Sequence, residues 1–380
     1  MRWDFLVMGA TGMQGKITSR DLLTNGYSVL LCGRDKSRIE HLLENYKKTK
    51  FEYVELRNIK ETIDTIKKSG ANIVVNCAEG DWNINVLDAC IKAGVHLIDL
   101  GSDIPMTKDQ LKKDRELKKK GLIHITGSGS VPGIGNVMLR YAAAKFDKID
   151  EVDVGFAWDS NIKKFVVPFS IQSILEEFTA PAPFVWHKHI KKIMPFNSLV
   201  RVHHRAIEEE NQFTCGHHPE TLTFYNFCKD KGIKNVKFFA GFPDHSFAML
   251  ENMVELGLSS KKEIYFQGRK IKPVEFLTET LKTLEIPKGY EEKENLWVEI
   301  RGGKKKILME CIVPTLKGWE DAACNIDTGM PASIMAQMIL RKEITTPGAF
   351  APEQIVPCEP FFKELRKRKM EVLENDKVIN

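Results

Sequence analysis

Three glycines near the start constrain this chain more than any other feature. In "FLVMGATGMQGKITSRDLL", residues 5–23, four apolar residues run into Gly9, Gly12 and Gly15, and an amphipathic stretch follows. A short apolar strand ending in a glycine-rich turn that opens a helix suits a phosphate-binding first βα unit. Gly9 permits the tight turn, Gly12 lets the backbone approach a pyrophosphate, and Gly15 allows close packing of helix on strand. Thr11 and Met13 belong to the same turn. The helix start adds unpaired N–H groups and the positive end of its dipole. A glycine triplet alone is also compatible with a plain turn, so the rest of the chain must decide.

Residues 1–126 alternate short β-rich runs with helical stretches. The strand candidates are "DFLVM", "SVLLC", "FEYVEL", "NIVVNC", "HLID" and "LIHIT", and helices between them stop at Asn25-Gly26, Ala93-Gly94 and Lys120-Gly121. Near-continuous apolar strands separated by helices imply a parallel sheet covered on both faces. The fold class is α/β: a Rossmann-type doubly wound sheet, followed by a second α+β domain with a mostly antiparallel sheet. The chain divides into a dinucleotide-binding domain at 1–130, a substrate-binding and dimerisation domain at 131–327, and a carboxy-terminal segment at 328–380 that returns to the first domain. "LWVEIRGGKKKILMECIVP" reads as two strands around Gly302-Gly303, and "PASIMAQMILRKEI" as an apolar-faced helix. The last residues are charged and are expected to fray.

The second strand ends in "LLCGRDKSRIE". Where an NAD-selective site carries a carboxylate for the ribose hydroxyls, this chain has Gly33 followed by Arg34. A guanidinium pairs with a 2′-phosphate that a carboxylate would repel, so the expected cofactor is NADP, with Asp35 keeping NAD open. "YAAAK" places Tyr141 and Lys145 four apart, thirteen residues beyond Ser128, which resembles the Ser, Tyr and Lys set of short-chain dehydrogenases. That helix should precede the sixth strand, and here it follows, so Tyr141 is read as packing.

Composition excludes several classes. Hydrophobic content of 43% and charged content of 28% are those of an ordinary globular protein. A net charge of +5, with basic residues dispersed among acidic ones, gives no nucleic-acid patch. No stretch reaches the ~18 apolar residues of a membrane span, and no leader pattern opens the chain, so a cytoplasmic location is expected. The 8 cysteines stand singly, which fits buried thiols in a reducing compartment. His187 and His189 share a strand face but lack a third ligand at a suitable interval, and no metal is expected.

At "GSVPGIGNVMLRYAA" the sequence resembles the saccharopine dehydrogenase and lysine 6-dehydrogenase family, whose members carry a Pro-Gly-(Leu/Ile)-x-Asn segment entering a helix; Asn136 is the matching residue. "VVNCAEGDWNINVLDACIKAGVHLIDLGSD", "SILEEFTAPA", "FAGFPDHSFAMLENMVELGL" and "TGMPASIMAQMILRKEI" are similar to further family segments in the same order. The resemblance implies an NAD(P)-dependent oxidoreductase of amino-acid metabolism, acting on a carbon–nitrogen bond through an imine, as in lysine metabolism. It also implies a substrate cleft between the domains and a homodimer. Val131 stands where saccharopine reductases have Asp, and "TCGHHPETL" departs from the family wording. A lysine 6-dehydrogenase or carboxynorspermidine dehydrogenase type of reductase therefore stays open, as does a non-catalytic NADP-binding redox sensor.

The open-sheet rule puts ligands at the carboxyl ends of strands four to six. Asn76, Ala78 and Asp99 are expected at the cofactor, and Gly101, Asp103, Ser128, Ser130 and Asn136 at a small amino-acid substrate, although such residues also favour ordinary turns. For proton exchange His245 comes first, because an imidazole titrates near working pH and family members show a histidine in a similar setting. Asp244 and Glu177 follow it, and His217 is a candidate for the cleft wall.

Overall fold

The computed structural model describes residues 2–167, 171–207, 209–216 and 218–380. Its amino-terminal strands are β1 (Phe5–Met8), β2 (Val29–Gly33), β3 (Thr49–Tyr53), β4 (Ile73–Asn76), β5 (His96–Asp99) and β6 (Ile123–Ile125). They pair in parallel in the order β6-β5-β4-β1-β2-β3, the doubly wound arrangement. Side chains alternate between two covered faces, so both sets must be apolar. Phe5, Val7, Leu31, Val75 and Ile98 join one core, and Leu6, Met8, Leu30, Val74 and Leu97 the other. Helices end at Gly94 and Gly121, both in the left-handed conformation that glycine adopts without strain.

The remaining strands are β7 (Glu151–Ser160), β8 (Ala182–Trp186), β9 (His189–Ile193), β10 (Val200–His203), β11 (Glu209–Thr214), β12 (Asn235–Phe242), β13 (Ile264–Phe266), β14 (Arg269–Ile271), β15 (Glu292–Gly302), β16 (Lys305–Pro314), β17 (Gly348–Phe350), β18 (Glu371–Glu374) and β19 (Lys377–Val378). Among the described residues, the second sheet has ten strands. Its spine is β10-β11-β12-β7-β15-β16-β18-β19, and β8 and β9 branch from β12. Every pairing in it is antiparallel except β12 with β7.

Two features differ from the sequence expectation, and both lie in the carboxy-terminal segment. β17 pairs in parallel with β6, giving the first sheet a seventh strand. The last residues do not fray: β18 pairs with β16, and β19 folds back on β18. Polar sequence misled here, because an edge strand is held by backbone hydrogen bonds with only Val372 and Leu373 turned inward.

One core runs through both sheets, joined by the helices Ile134–Ala143 and Ile326–Leu340. The latter lies against the first helix, Met13–Thr24, so closely that a Cβ on Gly329 would stand 2.5 Å from a methyl of Ile17. Thr18 Oγ1 donates to the Gly329 carbonyl at 2.9 Å. One residue earlier, Thr328 of the same helix meets Ser130 in the loop after β6. Tyr141 packs edge-on against Phe362 with Lys145 over its ring, the packing role expected of it.

Candidate active site

The glycine turn is built for a close backbone approach. Gly9 has φ of +70°, and a Cβ there would lie 2.6 Å from the Ala78 nitrogen. A Cβ on Gly15 would lie 2.1 Å from the Gly9 carbonyl oxygen, so the first helix sits directly on the turn. Gly12, at the N-cap, is left open apart from the Gly9 oxygen, and neither a capping side chain nor an acidic first-turn residue competes for the helix N–H groups. Met13 is exposed in this first turn.

From this turn a groove of about 220 Å³ runs past Gly33 and Arg34 to Val54 and Trp82. Arg38 stands in it as well, one helical turn beyond Arg34; the sequence reading missed it, and the Arg34-x-x-x-Arg38 spacing was its signal. Asp35 caps the intervening turn, accepting from the backbone N–H and the hydroxyl of Ser37 at 3.1 and 2.6 Å. It is thus engaged locally, while both guanidinium groups line the groove. The residues fit a dinucleotide with an extra phosphate: open helix N–H groups, a cradle that a Cβ would fill, and two cations at the end of β2.

At the strand ends, several expected ligand contacts turn out to be buried. Asp99 is fully buried and accepts from the Gly101 and Gly127 backbone, Thr126 and Gln110. Asn76 accepts from the Ala78 nitrogen and donates to Asn83. Ser128 has its N–H on the Asp99 carbonyl. Asn136 accepts from the Gly133 nitrogen and donates to Glu353, both at 2.7 Å. In these four the side-chain polar atoms are engaged within the chain, so each helps hold the strand-end loops in place. Asp103 caps the helix Ile104–Leu111 through the Met106 nitrogen. Ala78, Gly101 and Ser130 are half-buried on the rim.

Facing this rim are groups that sequence reasoning missed. Thr328 Oγ1 lies 3.3 Å from Ser130 Oγ and 3.0 Å from Asp327 Oδ1. Asp327 also hydrogen-bonds Glu294 on β15. Burial pushes Asp327 up to about 7, against the hydrogen bonds it accepts, and pushes Glu294 well above the carboxylate range, helped by Asp327 itself. Asp327 is buried and Glu294 half-buried, and two such carboxyls in contact share a proton. Glu294 also feels the charge of Glu210, and Glu210 that of Asp159, but the strand registers put Glu210 and Asp159 on the opposite face of the sheet, where Asp159 pairs with Lys163 beside His245. Glu294 shares a strand face with Leu296, Val298 and Ile300, and a charge on that apolar face was the available signal.

His245 is half-buried next to Asp159, with Nε2 lacking a partner among the described residues. Burial lowers its pKa, so it is neutral at pH 7 and can accept a proton. Asp244 is different. It is exposed and held by Arg201 at 2.9 and 3.0 Å, and that guanidinium keeps its carboxyl below the usual range. Glu177 lies 3.7 Å from His218 in a buried cluster with Cys215 and Glu220. Burial disfavours a charge on His218, but Cys215, Glu177 and Glu220 outweigh it and hold its pKa up. His217 lies outside the described residues. Among the described residues no group of three His, Cys, Asp or Glu could hold a metal ion, and no helix is long and apolar enough to cross a membrane.

A nucleotide groove on a doubly wound sheet, facing a second sheet across an acid-lined rim, defines a two-domain dinucleotide-dependent oxidoreductase. Residues 5–125 match the saccharopine dehydrogenase NADP-binding domain and residues 113–370 the saccharopine dehydrogenase C-terminal domain. The chain belongs to the saccharopine dehydrogenase family and is an NAD(P)-dependent oxidoreductase acting on CH–NH donors. It is 20% identical over 385 residues to carboxyaminopropylagmatine dehydrogenase of Synechocystis, covering 95% of this chain and 94% of that one. It is 25% identical over 357 residues to carboxynorspermidine synthase of Vibrio alginolyticus, covering 86% and 82%. The fold matches apo saccharopine dehydrogenase (L-Glu forming) from Saccharomyces cerevisiae over 100% of both chains, with a TM-score of 0.77 at 12% identity.

Proposed function

We propose that the chain uses NADP to reduce the imine formed between a carbonyl-bearing amino acid and a cationic amine, or to run that reaction in reverse. The observation that carries this reading is the Asp327–Glu294 carboxyl pair, set through Thr328 against Ser130 at the strand-end rim. A carboxyl pair that can give up its shared proton can receive and align a positively charged amine. The names of the two relatives, one a carboxynorspermidine synthase and the other a carboxyaminopropylagmatine dehydrogenase, support an amine of the polyamine type over lysine. Lysine-directed chemistry of the saccharopine type is the second reading, supported by the family.

Bound at the glycine turn, the reduced nucleotide supplies the hydride that the imine carbon takes up. The chain's own work is to place and protonate. Arg34 and Arg38 hold the 2′-phosphate. Asp99, Asn76 and Asn136 fix the strand-end loops, and Ser130 with Thr328 lines the rim. The proton that the imine nitrogen gains comes from the Asp327–Glu294 pair, and His245, neutral at pH 7, takes a proton from the amine in the reverse direction. In this reading Asp244 orients Arg201, and Glu177 serves His218. We expect the homodimer that the family resemblance implies, and sedimentation velocity tests it.

The discriminating experiment follows absorbance at the reduced-nicotinamide band with NADPH, an amino-acid aldehyde or 2-oxo acid, and a diamine, agmatine or lysine in turn. Oxidation dependent on a diamine or agmatine supports the proposal, and oxidation with lysine alone moves the assignment to the second reading. Tight NADPH binding with no turnover on any combination overturns both in favour of a sensor.

A further inference from the structure

The ten-stranded sheet turns its other face away from the cleft, and that face holds a cavity of about 670 Å³, within the size range of small-molecule sites. Its floor begins with three residues in register across three strands: Trp297, Gly155 and Phe239. Gly155 fits so tightly that a Cβ would lie 2.2 Å from the Phe239 carbonyl oxygen. Lacking a side chain, it lets the Trp297 and Phe239 rings meet above it at 5.8 Å and 31°. His204 extends the row on the far side of Trp297, at 5.7 Å and 33°. The result is a continuous platform of ring faces, each carrying negative quadrupole density.

Asp153 stands beside the platform, two residues from Gly155 on the same face and only 7% exposed. Its Oδ2 accepts from Arg301 at 3.2 Å, and Oδ1 is buried without a partner among the described residues. Beyond that one bond, the cations nearby are engaged elsewhere. Arg301 also holds Glu151 and Glu299, Lys306 holds Glu299, Lys237 lies 3.9 Å from Glu151, and across the cavity Arg205 holds Glu310 and Asp376. Burial and the charge of Glu151 push Asp153 up to about 6, against the pull of Arg301 and Lys237. An unpaired buried oxygen costs free energy that a ligand donor would recover. Ring faces beside a carboxylate form the environment that attracts an alkylammonium group.

We propose that this hollow is a second binding site, separate from the strand-end cleft, which takes an alkylammonium group over Trp297 and onto Asp153 Oδ1. It goes beyond the reductase reading and stands if that reading fails.

The test reads the site directly. With the 6 tryptophans replaced by 5-fluorotryptophan, Trp297→Phe assigns the Trp297 resonance in the fluorine spectrum. The full chain, saturated with NADP, is titrated with 1,4-diaminobutane and, as the uncharged control, 1,4-butanediol. A saturable shift of the Trp297 signal with the diamine but not the diol is expected. Asp153→Asn should weaken it about tenfold or more, and Asp327→Asn, which alters only the cleft, should leave it in place. Phe239→Leu provides a second variant that thins the platform, should Asp153→Asn fail to fold. A Trp297 signal unmoved at about 20 mM diamine, an equal response to the diol, or unchanged affinity in both variants overturns the proposal. A signal that moves on dilution instead of with amine overturns it too, and gives the face to a second copy of the chain.

Discussion

Asp327 and Arg34 represent two kinds of site residue, one raised by burial and one exposed to meet a phosphate. Folded Asp327 holds its proton up to about 7, against an ordinary value of 3.8. The folded state therefore binds that proton more tightly than the unfolded chain does. Stability linked to this group is complete below pH 4 and is lost as pH rises toward 7. Asp327→Asn, which keeps the size without the charge, should stabilise the protein by about 1–3 kcal/mol at pH 8 and leave it nearly unchanged at pH 4. Urea titrations at the two pH values check this, and equal stability at pH 8 refutes the buried-proton argument. For Arg34→Ala, the NADP dissociation constant should rise about tenfold or more while that for NAD moves by less than about twofold. Nucleotide fluorescence titration measures both, and equal losses would remove the 2′-phosphate role. Arg34 was legible because the end of the second strand has a fixed place in a doubly wound sheet. Asp327 and Glu294 were not, because 33 residues of sequence separate them and only the fold brings them together.

At the scale of elements, the carboxy-terminal segment ties the molecule together. Arg368, 7% exposed, donates to both oxygens of Asp21 on the first helix at 2.8 and 2.7 Å, and Ser333 and Gln337 add hydrogen bonds to the same carboxylate. Three helices thus meet on one buried charge. Removing a single partner leaves a charge stranded in the core, so Arg368→Ala should cost about 3–5 kcal/mol. The double substitution Asp21→Leu with Arg368→Met should recover most of that loss, because apolar pairs of similar volume replace buried ion pairs at little cost. Denaturant midpoints of the three proteins decide it. The central strands were legible in their apolar runs, since a sheet covered on both sides leaves few polar positions, while the exposed edge strand β3 carries Lys50 and Glu52. The β18–β19 hairpin was hidden by its charge, but it had a signal. Asn375 and Asp376, both at positive φ, form the two-residue connection that Asn and Asp favour.

For the molecule as a whole, net charge and local charge have opposite signs. The chain carries +5, which suits an anionic dinucleotide held by Arg34 and Arg38, yet the groups set against the strand-end rim are the acidic pair Asp327 and Glu294. Composition could not reveal this, because clustering in space is a property of the second sheet's register and not of the residue count. The arrangement sends two oppositely charged reactants to neighbouring places: the nucleotide to the first sheet, the amine to the gap beneath the second. Salt screens such attraction over a Debye length of about 10 Å at 0.1 M and about 3 Å at 1 M. With NADPH saturating, so that its own salt dependence drops out, kcat/KM for a dicationic amine should fall about three- to tenfold between roughly 0.05 and 0.5 M sodium chloride. Asp327→Asn, beside the strand-end rim, should flatten that slope while lowering the low-salt rate. A slope that is absent in the wild type, or identical in Asp327→Asn, would mean that the paired carboxyls act only on their own proton and do not draw the substrate in.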